Sequence, residues 1–249
     1  MQKKITVIWA LLLSLFGWGA LCAQTPRAEE LLRRVDQNEV YQTIEYEGEM
    51  IIEYQSRRYV KTFHAWVRGN SDSFMEFTNP EDRFTRYLKR SGRLFFYSPD
   101  TEEVIPISGH LLKESLMGSD LSLEDTVNNE SLESRFNAAI AGEEVFNGRP
   151  AYVLDLNAKN RGESYPRQRL WIDRENYDLL HYELFALSGV KAKEWTLIRS
   201  EVFGARRFPV ESEMRDLLRR DSRTIFIMRN VILDQPIADS IFTTRNLER

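Results

Sequence analysis

Most of the chain beyond residue 43 consists of short segments in which apolar and polar residues alternate. In residues 44–54 the even positions are apolar or glycine, whereas positions 45, 47, 49 and 53 are glutamates. A period of two places successive side chains on opposite faces of a strand. This pattern is typical of an antiparallel strand with one buried face and one hydrated face.

Ten further segments follow the same pattern and are separated by turn signals such as Ser91-Gly92 and Asn147-Gly148. They are residues 59–68, 73–77, 87–90, 94–97, 152–157, 169–173, 180–187, 195–203, 209–214 and 224–231. Parallel strands would need a helical crossover in every connection, and the connections carry no such pattern. The sequence therefore predicts a mainly β fold, an incomplete and strongly curved antiparallel β-barrel of about 11 strands.

Two apolar segments outside the strands are the predicted covers of the concave face. The first is a predicted N-terminal helix. Thr25 is its candidate cap, Pro26 suits its first helical position, and apolar residues recur at helical spacing from Ala28 to Val35. The second is a short helical flap over residues 109–118, with Gly118 in position to end it. The 14 Phe, 10 Tyr and 5 Trp of the chain supply bulky rings for this face. Alternatively, helix and flap simply complete an ordinary packed core.

The N-terminus has the pattern of a secretory signal peptide. Lys3 and Lys4 precede an apolar run that ends near Leu21 and is followed by polar residues. The prediction is cleavage after Ala23, so that residues 1–23 are the signal peptide and residues 24–249 form a single domain in the periplasm. A membrane-anchoring helix and lipid attachment at Cys22 remain alternatives.

The charge of the predicted mature chain argues against nucleic acid as a partner. Of 34 Lys and Arg residues, cleavage removes two, so that 32 basic side chains remain against 38 acidic ones. This balance lacks the basic footprint of a nucleic-acid-binding protein. Cleavage after Ala23 also removes Cys22, the one cysteine of the chain, so no disulfide is expected. A monomer is the predicted state.

Catalytic interpretations find little support in the sequence. His64, His110 and His181 lie far apart and lack metal-ligand spacing. A serine hydrolase would depend on Ser119 beside Asp120 alone, and these two residues suit hydrogen bonds to the local backbone at the end of the flap. The sequence therefore predicts no enzyme, no metal and no cofactor, although a dyad assembled from distant residues stays an alternative.

Several short motifs, taken together as an ordered set, point to a known family. They are Tyr87-Leu88-Lys89, Tyr97-Ser98-Pro99, Ile107-Ser108-Gly109, Met117-Gly118-Ser119-Asp120, Gly148-Arg149-Pro150, Leu170-Trp171-Ile172-Asp173 and the terminal Phe242-Thr243-Thr244-Arg245-Asn246-Leu247. Through these motifs the chain resembles the LolA-like outer-membrane lipoprotein-sorting proteins, which include the LolA/LolB-type periplasmic carriers. Within that family it resembles the branch that carries the Met-Gly-Ser-Asp element. The resemblance implies an incomplete β-barrel that holds lipoprotein acyl chains or phospholipid. It further implies an inner-membrane transporter complex as donor and an outer-membrane acceptor.

The candidate ligand-binding residues follow from this interpretation. Met50, Ile52 and Phe96 are the candidates on the strands, and Leu111, Leu112, Leu116 and Met117 are the candidates on the flap. The hypothesis is that the flap packs into the concavity when it is empty and moves aside when it fills.

Arg83 and Arg86 are candidates for contact with a lipid headgroup or a partner protein. The alternative is a solvated strand face on which they pair with Glu76 and Asp82. Two functions remain open: a periplasmic carrier, or a non-transporting envelope sensor or accessory subunit of an export complex with the same fold.

Overall fold

A computed structural model describes residues 26–127 and 130–248. The predicted signal peptide, Cys22 and the candidate cap Thr25 lie outside the described residues. The strands are β1 Thr43–Tyr54, β2 Arg57–Arg68, β3 Asp72–Phe77, β4 Arg86–Arg90, β5 Arg93–Ser98, β6 Glu103–Ile107, β7 Phe136–Phe146, β8 Arg149–Ala158, β9 Arg167–Asp173, β10 Leu179–Phe185, β11 Lys191–Phe203, β12 Arg206–Asp216 and β13 Ser222–Leu233. The helices are α1 Ala28–Glu39, α2 Leu123–Val127, α3 Leu132–Arg135 and α4 Thr244–Leu247.

All 13 strands form one curved antiparallel sheet that does not close. Its order is β6-β5-β4-β3-β2-β1-β13-β12-β11-β10-β9-β8-β7, so that each half of the chain forms a meander of neighbouring strands. The two halves meet where β1 pairs with β13. The predicted mainly β, incomplete barrel is confirmed.

The sheet has two strands more than the sequence predicts, namely β6 and β7. They are the two edges of the sheet. Most side chains of both strands are at least partly exposed, so neither strand shows the alternation that marks the central strands. An edge strand pairs on one side only and needs less apolar surface, which removes the signal that periodicity detects.

The alternation of β1 is confirmed in the structure. Met50 and Ile52 are buried in the concave core, whereas Glu49 and Glu53 on the other face pair with arginines of β13. Gly48 lies on the apolar face, where the ring of Phe63 covers its backbone so closely that a Cβ would come within 2.1 Å of a ring carbon.

Helix α1 covers the half of the sheet that contains β7–β10. Its buried face packs against buried side chains of β8–β10 and consists of Ala28, Leu31, Leu32 and Val35. The predicted position of Pro26 is wrong: the helix begins at Ala28 with Arg27 as its N-cap, so Pro26 lies before the helix. None of the helices among the described residues has the length and apolarity needed to span a bilayer.

The C-terminal segment lies against the outer face of β3–β5. Phe242 and Leu247 are fully buried there and pack with residues of these strands, among them Leu88. Arg86 donates a hydrogen bond to the Leu247 carbonyl oxygen at 3.2 Å, and Arg90 donates one to the Phe242 carbonyl oxygen. The chain therefore ends as a strap on the face opposite the flap.

Candidate functional site

The flap covers the half of the concave face that α1 leaves open. It consists of two 3-10 turns, Gly109–Lys113 and Leu116–Gly118. Leu116 is buried, and Leu112 and Met117 pack beside it against the apolar cluster of β1–β3 and β12. A packed flap over this cluster is the closed arrangement that the flap hypothesis requires.

The C-terminal end of the flap is anchored to β12 and β13. The Asp120 carboxylate accepts hydrogen bonds from the Thr224 hydroxyl at 2.7 Å and from the Asp216 backbone N–H at 3.0 Å. Arg219 donates to the carbonyl oxygen of Ser119 at 2.6 Å. Ser119 forms the predicted local contacts with Leu121, but the Asp120 carboxylate binds residues about 100 positions away in the chain.

A buried ion pair holds the segment after the flap. Asp125 accepts a hydrogen bond from the backbone N–H of Ser122 at 2.7 Å, and its carboxylate lies 2.6 Å from the Lys193 ammonium. Desolvation lowers the pKa of Lys193, but attraction to Asp125 and Tyr165 outweighs it, so the pKa is raised. This lysine stays charged and neutralises Asp125.

An open cavity of about 650 Å³ lies on the concave face between α1, the segments 121–125 and 130–135, and strands β9–β12. This volume is within the range of about 300–1,000 Å³ found for ligand pockets. Its apolar and aromatic lining residues include Tyr41, Leu121, Leu132, Tyr165, Leu170, Leu179, Tyr182, Leu184, Phe208 and Met214. The concave face therefore contains space that its own side chains do not fill.

None of the predicted ligand-binding residues lines this cavity. Met50 and Ile52 are buried beneath the flap in a filled cluster that also includes Leu112, Leu116 and Met117. The Phe96 ring lies 5.0 Å from the Tyr87 ring in a tilted arrangement, the Tyr87 hydroxyl lies 3.5 Å from the Met117 sulfur, and Leu111 is half-buried. Phe208 belongs to the filled cluster and also lines the cavity. Opening of the flap would therefore extend the cavity toward the predicted residues.

The two candidate arginines have different environments. Arg86 is buried and donates to Glu76 at 3.1 Å and to the Leu247 carbonyl oxygen under the C-terminal strap. Arg83 is exposed and stacks on the ring of Phe84. Arg83 is thus the accessible member of the pair. The pairing of Arg86 with Glu76 agrees with the alternative interpretation, but Arg86 is buried and not on a solvated face, and Asp82 pairs with Lys61.

One polar cluster was missed by sequence reasoning. His181 and Glu183 of β10 lie near Glu194 of β11, with possible ligand atoms within 4.8 Å of one another. The Lys191 ammonium bridges Glu183 at 2.8 Å and Glu194 at 3.0 Å, so a cation already occupies the position between the carboxylates. Burial lowers the pKa of His181. Cross-strand register brings these groups together, and sequence spacing does not reveal it.

The open curved sheet, the helix across one half of its hollow and the flap across the other make up a fold that this chain shares with solved structures of other proteins. A LolA superfamily protein from Nitrosomonas europaea superposes with a TM-score of 0.74 at 18% identity, over 89% of this chain and 99% of that one. A putative outer membrane lipoprotein-sorting protein domain from Vibrio parahaemolyticus superposes with a TM-score of 0.78 at 18% identity, over 89% of this chain and 98% of that one.

A DUF1329 family protein from Desulfovibrio piger gives a TM-score of 0.79 at 24% identity, over 88% of this chain and 97% of that one. The resemblance to LolA-like proteins is confirmed as a shared fold. A protein-family model described as "Uncharacterized protein" matches residues 69–249, and the chain belongs to that family. The search of curated proteins gave no match.

Proposed function

We propose that this protein is a periplasmic carrier that binds acyl chains of lipoproteins or other lipids in its concave cavity and moves them toward the outer membrane. The observation that carries the proposal is the unfilled cavity of about 650 Å³, whose wall combines apolar and aromatic side chains with polar and charged ones. Burial of each methylene is worth ~0.8 kcal/mol, so one long acyl chain gains on the order of 10 kcal/mol.

Release of the ligand needs a device that competes for the same apolar wall. The flap has the necessary position, because Leu116 fills the concavity and Met117 adapts to irregular surroundings through its flexible thioether. Leu121, which follows the flap, contacts the filled cluster and also lines the cavity. Movement of the flap would thus change the size of the cavity. An inner-membrane donor complex and an outer-membrane acceptor are the partners that this function requires.

Native mass spectrometry of the protein purified from its own membranes tests lipid binding directly. The expected result is a mass increment that tandem fragmentation resolves into acyl-containing molecules. A protein that carries no acyl compound, and binds no acyl probe after delipidation, would contradict the carrier function.

The double substitution Leu112→Asp/Leu116→Asp tests the flap. Charged side chains cannot stay in the apolar cluster, so the flap should leave it and acyl-probe affinity should change. The matched control is Val145→Asp/Val202→Asp, which alters two exposed valines on β7 and β11. Far-UV circular dichroism confirms that each variant is folded. Unchanged probe binding in the folded flap variant would eliminate the gating role.

The second candidate is a sensor or accessory subunit that binds a partner without transporting lipid. The observation that favours it is the complete packing of the cluster beneath the flap, where Met50 has no exposed surface. Stable co-purification with an inner-membrane complex in the absence of acyl ligand would support this candidate over the carrier.

A further inference from the structure

The carboxyl group of Glu39 occupies an unfavourable position in the wall of the cavity. Glu39 is the last residue of α1, and the last turn of this helix contains no basic residue. The carbonyl ends of a helix carry partial negative charge, so a carboxylate there is repelled. Glu39 also faces the cavity, whose walls on this side include the aromatic rings of Tyr41 and Tyr182.

Within the described residues, no hydrogen bond or ion pair reaches the Glu39 carboxylate. Glu39 is half-buried at the rim of α1. This burial raises its pKa to about 8, and the charges of Asp36 and Asp178 act in the same direction. Arg149 and Arg207 pair with Asp178 and leave Glu39 without a counter-ion. A carboxylate that is partly withdrawn from water and has no counter-ion lowers the stability of the fold when it is ionised. Carboxylates in such environments are found preferentially at functional sites.

The other buried acids along the cavity are already satisfied by the protein. Asp36 accepts the backbone N–H groups of Leu132 and Glu133 at 3.1 and 3.2 Å. Glu163 is bound by Arg135, the one basic side chain among the described lining residues. An anionic headgroup would therefore find no free cation among the described lining residues, whereas a cationic headgroup would find a free carboxylate.

Aromatic rings complete this environment. Burial raises the pKa of Tyr41 to about 12 and also raises the pKa of Tyr182; the charge of Asp125 adds to the effect at Tyr182, and the charge of Glu39 acts in the same direction on both tyrosines. Glu39, Tyr41 and Tyr182 all line the same cavity. An ammonium group is stabilised by a carboxylate and by the faces of aromatic rings, and more strongly where water is excluded.

We propose that the cavity binds amphiphiles with a primary ammonium headgroup, with Glu39 as the counter-ion and Tyr41 and Tyr182 as its aromatic neighbours. This inference rests on the proposed lipid-binding function and specifies its ligand class. Binding of the ammonium removes the proton from the Glu39 carboxyl. Affinity for an amine therefore rises as the pH increases toward 8, the pKa that Glu39 has in the empty cavity.

Probes that share one chain length and differ only in the headgroup test the proposal. Dodecylamine, dodecanol and dodecanoic acid compete with a fluorescent acyl probe on the delipidated protein at pH 8. The wild type should bind the amine at least about 10-fold more tightly than the acid, the factor expected for a charge-assisted bond. Glu39→Gln should abolish this preference, whereas Glu29→Gln on the exposed face of the same helix should retain it.

Equal affinity for amine and acid, or a preference that survives in Glu39→Gln, would overturn the ammonium site while acyl binding itself stands. If none of the three probes binds, the proposed lipid-binding function fails together with this inference. Two kinds of molecule combine acyl chains with a primary ammonium group: an aminophospholipid and a diacylated lipopeptide with a free α-amine. Competition with phosphatidylethanolamine and with such a lipopeptide shows which of the two occupies the site.

Discussion

Replacement of Glu39 by glutamine should stabilise the empty protein, and the gain should increase with pH. In the unfolded chain this carboxyl titrates near 4.5, whereas in the folded protein its pKa is raised to about 8. Between these two values the folded state binds more protons than the unfolded state, so rising pH lowers the free energy of unfolding. Below the lower value both states are protonated and the cost vanishes.

The magnitude follows from the difference between the two pKa values. One pKa unit corresponds to ~1.36 kcal/mol, so the cost reaches ~3 kcal/mol at pH 7 and ~5 kcal/mol above pH 8. Solvent at the open side of the cavity screens the carboxylate and reduces the cost at both pH values. At pH 7 the remaining cost is ~2–3 kcal/mol. Glutamine fills the same volume without the titrating proton and escapes this cost.

Urea unfolding of the delipidated protein between pH 4.5 and 9 measures the effect. The quantity of interest is the difference in free energy of unfolding between Glu39→Gln and wild type, because other titrating groups cancel in it. Glu29→Gln, a change at an exposed position of the same helix, should stay within about 0.5 kcal/mol at every pH. A Glu39→Gln difference that is independent of pH, or that favours the wild type at pH 8, would refute the buried and unpaired state of Glu39.

Two further substitutions test the packing that surrounds the cavity. Gly48→Ala places a Cβ 2.1 Å from the Phe63 ring and should destabilise the fold by ~2 kcal/mol or more. The control Gly142→Ala on β7 has open space around the new Cβ and should be nearly neutral. Equal shifts of the thermal unfolding midpoint in the two variants would contradict the close packing at Gly48. Lys193→Met leaves the Asp125 carboxylate buried without its cation and should cost ~3–5 kcal/mol in urea unfolding. The double variant with Asp125→Leu should recover much of this loss, and absence of recovery would show that the pair is not the cause.

The central strands were predictable because burial on one face imposes a period of two on their residues. The alternation around Met50 follows from this rule, and so does the amphipathic pattern of α1 with Leu31 and Leu32 inward. The flap was recognisable as an apolar segment that ends at Gly118, where φ is +81°. The edge strands β6 and β7 were not predicted, because their side chains are mostly exposed and the residues show no alternation of apolar and polar types.

The candidate site was predicted only in part, because local patterns do not show which half of a hollow is filled. Met50 and Ile52 have the right face and the right chemistry, but the flap packs on them and the open volume lies beside them. Glu39 carried no signal in the sequence, where it reads as one more polar residue at the end of an amphipathic helix.

The amino-acid sequence by itself determined the central strands, the antiparallel character of the sheet and the presence of two apolar covers, since these depend on the spacing of neighbouring residues. Only the tertiary structure decided where the covers meet the sheet and which carboxyl faces the remaining space. These features depend on contacts between distant segments, such as Asp120 with Thr224 and α1 with β8–β10. Their energies come from packing and desolvation in three dimensions, which no single stretch of the chain encodes.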